Sequence, residues 1–246
     1  MSRRTALVTG ASQGIGAATA RALAADGYHV FVHYGGSLAK AEVVVAQITK
    51  AGGSAELMQA DLAQPDAAHA LAAEVAQRCG GSLDALVLNA GVMDRSDFAD
   101  CSPETFDRIF HVNLRAPFFL VQQLTPALRE GASVVFVSSV TARRVTGGVA
   151  AYASMKASLE SFIRRAAMEL GPRWVRVNGV APAVTANDTI KPWTDTDAGR
   201  EAVIASQALK RVAEPEDIAD VIAFLCSDKA RWIDGALIPV DGGTLL

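Results

Sequence analysis

The run Thr5-Ala6-Leu7-Val8-Thr9-Gly10-Ala11-Ser12-Gln13-Gly14-Ile15-Gly16, continued by Ala17-Ala18-Thr19-Ala20-Arg21-Ala22-Leu23, decides the fold. Positions 5–9 are short and apolar and read as a buried strand, the three glycines as a tight turn, and positions 17–26 as a helix. Strand, glycine turn and helix in that order make a phosphate cradle. Glycine lets the backbone bend sharply and come close to a pyrophosphate, whose charge meets the free N–H groups and positive dipole end of the helix. The spacing is Gly-x-x-x-Gly-x-Gly rather than Gly-x-Gly-x-x-Gly, so the turn alone is a weak signal and its context has to carry it.

That context is a regular alternation of strand and helix. Positions 28–33 (Tyr-His-Val-Phe-Val-His) predict a second strand, 38–51 a helix, and 54–59 a third strand ending at Asp61-Leu62. A helix over 65–79 precedes a fourth strand, 83–88, which runs into Asn89-Ala90-Gly91. One long helix is expected from 103 to about 129, with Asn113 in its middle and a kink at Pro117. A strand over 134–139, a helix from about 150, a strand over 175–180 and an irregular segment over 182–211 follow. Pro215 suits the first turn of a helix over 216–226, and 236–240 is a last strand before Asp241-Gly242-Gly243. Near-continuous apolar strands separated by helices predict an α/β fold: one doubly wound parallel sheet of about seven strands with helices on both faces. No repeat, low-complexity tract or linker interrupts the chain, so 1–246 is expected to be one Rossmann-type domain.

Composition narrows the function classes. The 246 residues are 50% hydrophobic, enough for one large core, and carry a net charge of -3. Adjacent basic pairs occur at Arg3-Arg4, Arg143-Arg144 and Arg164-Arg165 and the rest are dispersed, so neither nucleic acid nor an anionic membrane is an expected partner. Cys79, Cys101 and Cys226 are odd in number and widely spaced, which fits reduced thiols rather than a disulfide framework or a metal site. Arg3-Arg4 leads straight into the first strand and no run of 18 or more apolar residues follows, so a soluble cytoplasmic protein is expected. Asp94, Asp97 and Asp100 read as a solvated loop, and His33 and His111 as core or surface residues.

The chemistry is concentrated between Val134 and Leu159. Ser138-Ser139 closes an apolar strand, and Tyr152 and Lys156 stand four apart in the following helix, so both face one side, one turn apart. Gly147-Gly148 allows the loop to fold that side over Ser139. An ammonium beside a phenol favours the phenolate and is expected to lower the Tyr152 pKa toward the range useful at neutral pH. Serine, tyrosine and lysine so placed can polarise a carbonyl and give it a proton. A lone Tyr-x-x-x-Lys is also an ordinary helix-surface pair, and Ser138 rivals Ser139, so the rest of the chain has to decide.

Polar residues that follow predicted strands do so at the carboxyl ends of a parallel sheet, where ligands bind. Taken with Thr9-Gly10-x-x-x-Gly14-Ile15-Gly16, Asp61-Leu62, Asn89-Ala90-Gly91, Asn113, Ser139, Tyr152-x-x-x-Lys156, Val177-Asn178-x-Val180-Ala181-Pro182, Pro215-Glu216-Asp217-Ile218 and Val240-Asp241-Gly242-Gly243, the chain resembles the short-chain dehydrogenase/reductase family over essentially its whole length. It is most similar to the 3-oxoacyl-carrier-protein reductase branch. The resemblance implies Tyr152 as general acid/base, Lys156 holding the nicotinamide ribose and depressing the tyrosine pKa, Ser139 hydrogen-bonding the substrate oxygen, and Asn113 anchoring a water beside Lys156. It places Gly10, Ser12, Gln13, Gly14, Ile15, Gly16, Tyr34, Ser37, Asp61, Leu62, Asn89, Ala90 and Gly91 along the dinucleotide, with Pro182 and Val184 at its nicotinamide end. It implies a substrate lid within about 183–211 and a homotetramer built through the helices around Asn113 and Tyr152 and the C-terminal strand, with the end of the chain, Gly243 to Leu246, at a subunit boundary. The chain departs from the family pattern at Ala183, Asn187 and Lys210, where glycine, threonine and glycine are usual.

The resemblance implies a reductase acting on a ketone, either a 3-oxoacyl thioester or a related carbonyl. Where an NAD-preferring enzyme places an acid after its second strand, this chain reads His33-Tyr34-Gly35-Gly36-Ser37, with Ser37 and Lys40 available to a 2′-phosphate; NADP(H) is therefore expected over NAD(H). The alternatives are an NAD(P)-linked alcohol or polyol dehydrogenase of the same family and a dinucleotide-sensing protein without chemistry.

Overall fold

The computed structural model describes residues 3–145, 147–188 and 190–245. Seven parallel strands, β1 (Thr5–Val8), β2 (His29–Tyr34), β3 (Ser54–Gln59), β4 (Leu83–Leu88), β5 (Leu128–Val137), β6 (Arg176–Pro182) and β7 (Leu237–Val240), form one sheet in the order β3-β2-β1-β4-β5-β6-β7. The order reverses between β1 and β4, so the loops leaving those two strands diverge and open a crevice at the carboxyl edge.

Side chains alternate across the sheet, and both faces are buried. Leu7, Phe31, Leu86 and Phe136 point to the face covered by α3 (Ala67–Arg78), α5 (Ala116–Leu124) and α6 (Ala150–Leu170). Val8, Val30, Val87 and Val135 point to the opposite face, covered by α1 (Gly14–Ala25), α2 (Leu38–Lys50) and α9 (Pro215–Cys226). Each fully buried Leu or Phe contributes roughly 1.5–3 kcal/mol. The expected doubly wound sheet is therefore the observed one.

Three sequence expectations change. The long helix from 103 is divided into α4 (Pro103–Phe110), a π-helical turn over His111–Arg115, and α5, and it ends by Leu124 rather than near 129. Ser102 starts α4 by accepting a hydrogen bond from the Thr105 N–H at 3.2 Å. The break falls on the residues before Pro117. Proline has no N–H to offer the Asn113 carbonyl four residues back, and the Ala116 N–H reaches the His111 carbonyl instead.

The strand expected from 134 begins at Leu128. Register shifts between the pairs Leu83–Leu128 and Ala85–Ser133, so a bulge carries Arg129, Glu130 and Gly131 outward, and these read as a helix end in the sequence. Arg129 there pairs with Asp84 at 2.8 Å.

The segment 182–211, expected to be irregular, holds two short helices, α7 (Lys191–Thr194) and α8 (Asp197–Ala205). Thr196 caps α8 by accepting from the Gly199 N–H at 3.0 Å. Lys210, one of the departures from the family pattern, donates to the Ile204 and Gln207 carbonyls at the end of α8, where a cation is favoured. Leu246, expected at a subunit boundary, lies outside the described residues.

Candidate active site

The glycine turn is held in place by residues that the strand ends bring to it. The Thr9 hydroxyl accepts from the Asn89 and Ala90 N–H groups, each at 3.0 Å, and the Asn89 side-chain amide donates to the Thr9 and Gly10 carbonyls at 2.9 and 3.0 Å. Gly10 has φ +63°, which a side chain tolerates poorly. A β-carbon on Gly16 would lie 2.3 Å from the Gly10 carbonyl oxygen and 2.5 Å from Asn89 Nδ2, so helix and turn approach too closely for any side chain. The first turn of α1 has no acidic residue and no capping side chain, leaving its N–H groups for an anion.

His33, read from the sequence as a core or surface residue, is part of this scaffold. Its ring is buried at the end of β2. Nδ1 accepts from the Gly10 N–H and Nε2 donates to the Ala60 carbonyl, both at 3.0 Å, which fixes the neutral tautomer. Burial lowers its pKa to about 4, against a weaker raising effect of the Ala60 bond. A pattern search for catalytic histidines misses this role because the ring serves the backbone, not a substrate.

From the turn, a cavity of about 900 Å³ runs along the carboxyl edge. Gly10, Ser12, Gln13, Gly14, Ile15 and Gly16 line one end, with Asp61 and Leu62 beside them. Asn89, Ala90 and Gly91 form its middle, and Ser139, Tyr152, Lys156, Pro182 and Val184 its other end. Asp61 is locally tied, its carboxylate accepting from the Ala63 N–H and the Gln64 amide, each at 3.1 Å. Tyr34 instead packs against the core beneath α1 and α2, and Ser37 stands at the start of α2 beside the cavity rather than in its lining.

At the Tyr152 end the two serines separate. The Ser138 hydroxyl donates to the Lys156 carbonyl at 3.2 Å, inside the protein. Ser139 lines the cavity with Tyr152, and its hydroxyl oxygen accepts from the Thr141 hydroxyl at 2.9 Å. Lys156 Nζ donates to the Val137 carbonyl at 2.8 Å and lies 5.6 Å from the centre of the Tyr152 ring. Burial lowers the lysine pKa to about 8, which leaves it mostly charged at pH 7. For Tyr152 the expectation reverses: burial pushes the phenol above its ordinary value, and the neighbouring Ser139 side chain only partly offsets this. The phenol is thus protonated at neutral pH and set to donate.

Asn113 sits behind this group. Its amide donates to the Val92 and Ile109 carbonyls at 2.8 and 2.9 Å, while its Oδ1 is buried and, among the described residues, has no partner. A β-carbon on Gly91 would lie 2.9 Å from that oxygen and 3.5 Å from Lys156 Nζ, so only glycine leaves the space between them open. A buried acceptor facing an ammonium across a small gap suits one bridging water.

Other residues complete the site without a sequence signal. Ile190, Trp193 and Val203 from the 182–211 segment add apolar walls to the cavity, and Arg95 and Arg144 also line it. Among the described residues no cluster of His, Cys, Asp and Glu suits a metal, and no helix is long and apolar enough to cross a membrane.

A family model described as "Enoyl-(Acyl carrier protein) reductase" matches residues 10–244. Versicolorin reductase 1 of Aspergillus parasiticus is 39% identical, over 98% of this chain and 95% of the relative. The 3-oxoacyl-[acyl-carrier-protein] reductase FabG of Staphylococcus aureus is 38% identical, over 98% and 97%. The crystal structure of the angucycline C-6 ketoreductase LanV with bound NADP shares 40% identity, superposes with a TM-score of 0.92, and covers 98% of this chain and 95% of its own. With a family match of this extent, on a sheet and strand-end crevice of this form, the chain belongs to the short-chain dehydrogenase/reductase family of NAD(P)-dependent oxidoreductases.

Proposed function

We propose that the protein is an NADPH-dependent ketoreductase in which Tyr152 protonates the substrate carbonyl oxygen. The observation that carries this reading is the convergence of Ser139, Tyr152 and Lys156 on one end of the cavity, with the Lys156 ammonium 5.6 Å from the Tyr152 ring.

The residues fit a dinucleotide. The close glycine turn at Gly10 and Gly16 and the open N–H groups of α1 suit the pyrophosphate, Asp61 and Leu62 the adenine end, Asn89 to Gly91 the middle, and Lys156, Pro182 and Val184 the nicotinamide end. Bound there, the cofactor supplies the hydride. Ser139 holds the carbonyl oxygen against the Tyr152 hydroxyl, which gives up its proton as negative charge develops on that oxygen. Lys156 stabilises the phenolate left behind, and its low-dielectric setting strengthens that interaction. Asn113 Oδ1, facing Lys156, holds the water from which the group regains a proton. General acid catalysis of this kind contributes about 10²–10⁴-fold.

NADPH is favoured because no carboxylate follows β2, where one would accept hydrogen bonds from a ribose 2′-hydroxyl. Ser37 stands at the start of α2, whose first turn has no acid, and Lys40 reaches over to Gln13 at 2.8 Å. The related ketoreductase with bound NADP supports the same choice. An enoyl reductase, suggested by the wording of the family model, is disfavoured by the spacing Tyr152-x-x-x-Lys156, narrower than expected for that activity. The apolar walls at Ile190, Trp193 and Val203 suit an extended ketone, whether an acyl thioester or a polycyclic one.

The segment around α7 and α8 acts as the substrate lid of a single domain. The protein works as a cytoplasmic homotetramer, with Phe118 of α5, 40% exposed and stacked on Phe162 of α6, marking the helix face for subunit contact; light scattering showing a stable monomer at micromolar concentration counts against that assembly.

The test is a panel of β-ketoacyl thioesters, quinones, diketones and sugars assayed with NADPH and NADH. Ketone reduction with at least about tenfold higher kcat/KM for NADPH, equivalent to about 1.4 kcal/mol, is expected, with much of the preference lost in Ser37→Asp. Equal efficiency, or preference for NADH, promotes the dehydrogenase reading.

A further inference from the structure

Lys40 is the cation in the first turn of α2, at the corner where a 2′-phosphate would sit. Its ammonium is already engaged twice: it donates to Gln13 Oε1 at 2.8 Å and to Asp188 Oδ2 at 2.6 Å. Gln13 belongs to the glycine turn. Asp188 does not belong to the adenosine side at all; it comes from the loop between β6 and α7, 148 residues further along the chain.

That loop lies across the start of α1. A β-carbon on Gly14 would be 3.6 Å from Asn187 Cβ, and the Ala186 N–H donates to the Ala213 carbonyl at 2.8 Å, anchoring the loop beside Asp188. Lys40 therefore bridges the two sides of the crevice. The Asp188 carboxyl is held below the usual carboxylate range by its hydrogen bond with Lys40, with Lys191 adding to the effect. At neutral pH it is fully ionised.

We infer that Asp188 is a specificity-determining residue, an internal competitor that occupies Lys40 in place of the cofactor's 2′-phosphate and so limits the preference for NADPH. This rests on the reading of Ser37 and Lys40 as the 2′-phosphate corner. An ammonium has three N–H donors, and a phosphate dianion arriving at Lys40 has to share them with, or displace, a carboxylate whose charge it also opposes. A dinucleotide without the 2′-phosphate makes no such demand. Asp188 thus weakens one cofactor and leaves the other alone, which is discrimination by a repulsive element placed against an attractive one. Its size is bounded: Lys40 and Asp188 side chains are 48% and 64% exposed, and exposed pairs are weak and screened by salt.

The experiment is isothermal titration of NADP⁺ and NAD⁺ into the intact protein at low ionic strength, for wild type, Asp188→Asn, Lys40→Gln and the double variant. Asp188→Asn should tighten NADP⁺ by about two- to fivefold and leave NAD⁺ within about twofold, as expected for release of one exposed ion pair. In the Lys40→Gln background the same substitution should give less than half of that gain, because the competed-for cation is gone. An unchanged or weaker NADP⁺ affinity in Asp188→Asn, with wild type still preferring NADP⁺, overturns the competition and leaves the cofactor reading standing. A full gain that persists without Lys40 overturns it too, since Asp188 would then act only by repelling the phosphate. Equal wild-type affinity for the two cofactors removes the cofactor reading and this inference with it. Asp188 is on the surface, and unfolding curves of the four proteins verify that each is folded.

Discussion

Acidification from pH 7 to pH 4 should destabilise the protein through His33 in particular. In the folded chain this ring remains neutral to about pH 4, because it is buried between the Gly10 N–H and the Ala60 carbonyl. Unfolded, it takes a proton near pH 6.5. The unfolded chain therefore gains its proton first as pH falls, and stability that is fully present above about 6.5 is lost on the way down to 4. At 1.36 kcal/mol for each unit, the loss from this one ring reaches about 3 kcal/mol at pH 4. Urea unfolding at pH 7, 6, 5 and 4 should be compared for wild type and His33→Asn. Asparagine keeps an acceptor for the Gly10 N–H and does not titrate, so it is expected to be less stable at pH 7, having lost the donor to Ala60, but with a flatter pH profile. Carboxylates elsewhere contribute equally to both curves and cancel in the difference. Wild type should lose about 3 kcal/mol more than the variant between pH 7 and pH 4; a difference below about 1 kcal/mol would refute the assignment of a buried, neutral His33.

Lys156→Met should remove turnover and yet stabilise the fold at pH 7, by up to about 3 kcal/mol, because the folded pKa near 8 measures how strongly burial opposes the ammonium; a less stable variant in thermal unfolding would show that the Val137 hydrogen bond outweighs desolvation. Gly16→Ala sets two effects against each other: helix propensity favours alanine by about 1 kcal/mol, but its β-carbon meets the Gly10 carbonyl at 2.3 Å. The clash should win, lowering stability by about 1–3 kcal/mol and weakening dinucleotide binding at least about tenfold by fluorescence titration, whereas a stabilised variant with intact binding speaks against the tight cradle.

The sheet was legible because its strands are short, apolar and separated by amphipathic helices, a pattern dictated by burial on both faces. What periodicity missed has local causes. The bulge after Leu128 turns Arg129 to Gly131 outward and looks like a polar helix end, and the π-helical turn at Asn113 depends on a missing N–H four residues beyond it, at Pro117. The capping threonine at 196 marks the start of α8, but no long apolar periodicity accompanies so short a helix. At the site, Tyr152 and Lys156 could be paired from spacing and Ser139 chosen over Ser138 from the family resemblance, but not which way burial would move the tyrosine, since that depends on how deeply α6 is packed. The cross-crevice bridge from Lys40 to Asp188 joins residues with no pattern linking them in the chain.

The proposed chemistry needs Tyr152 as proton donor, and Tyr152→Phe isolates that function, since it removes the hydroxyl and keeps the ring. Turnover of the best ketone with NADPH and the dissociation constant for NADP⁺ should be measured side by side on this variant. The expected result is a loss of about 10²–10⁴-fold in kcat with NADP⁺ affinity within about threefold of wild type. A variant that retains more than about a tenth of the wild-type rate would contradict it.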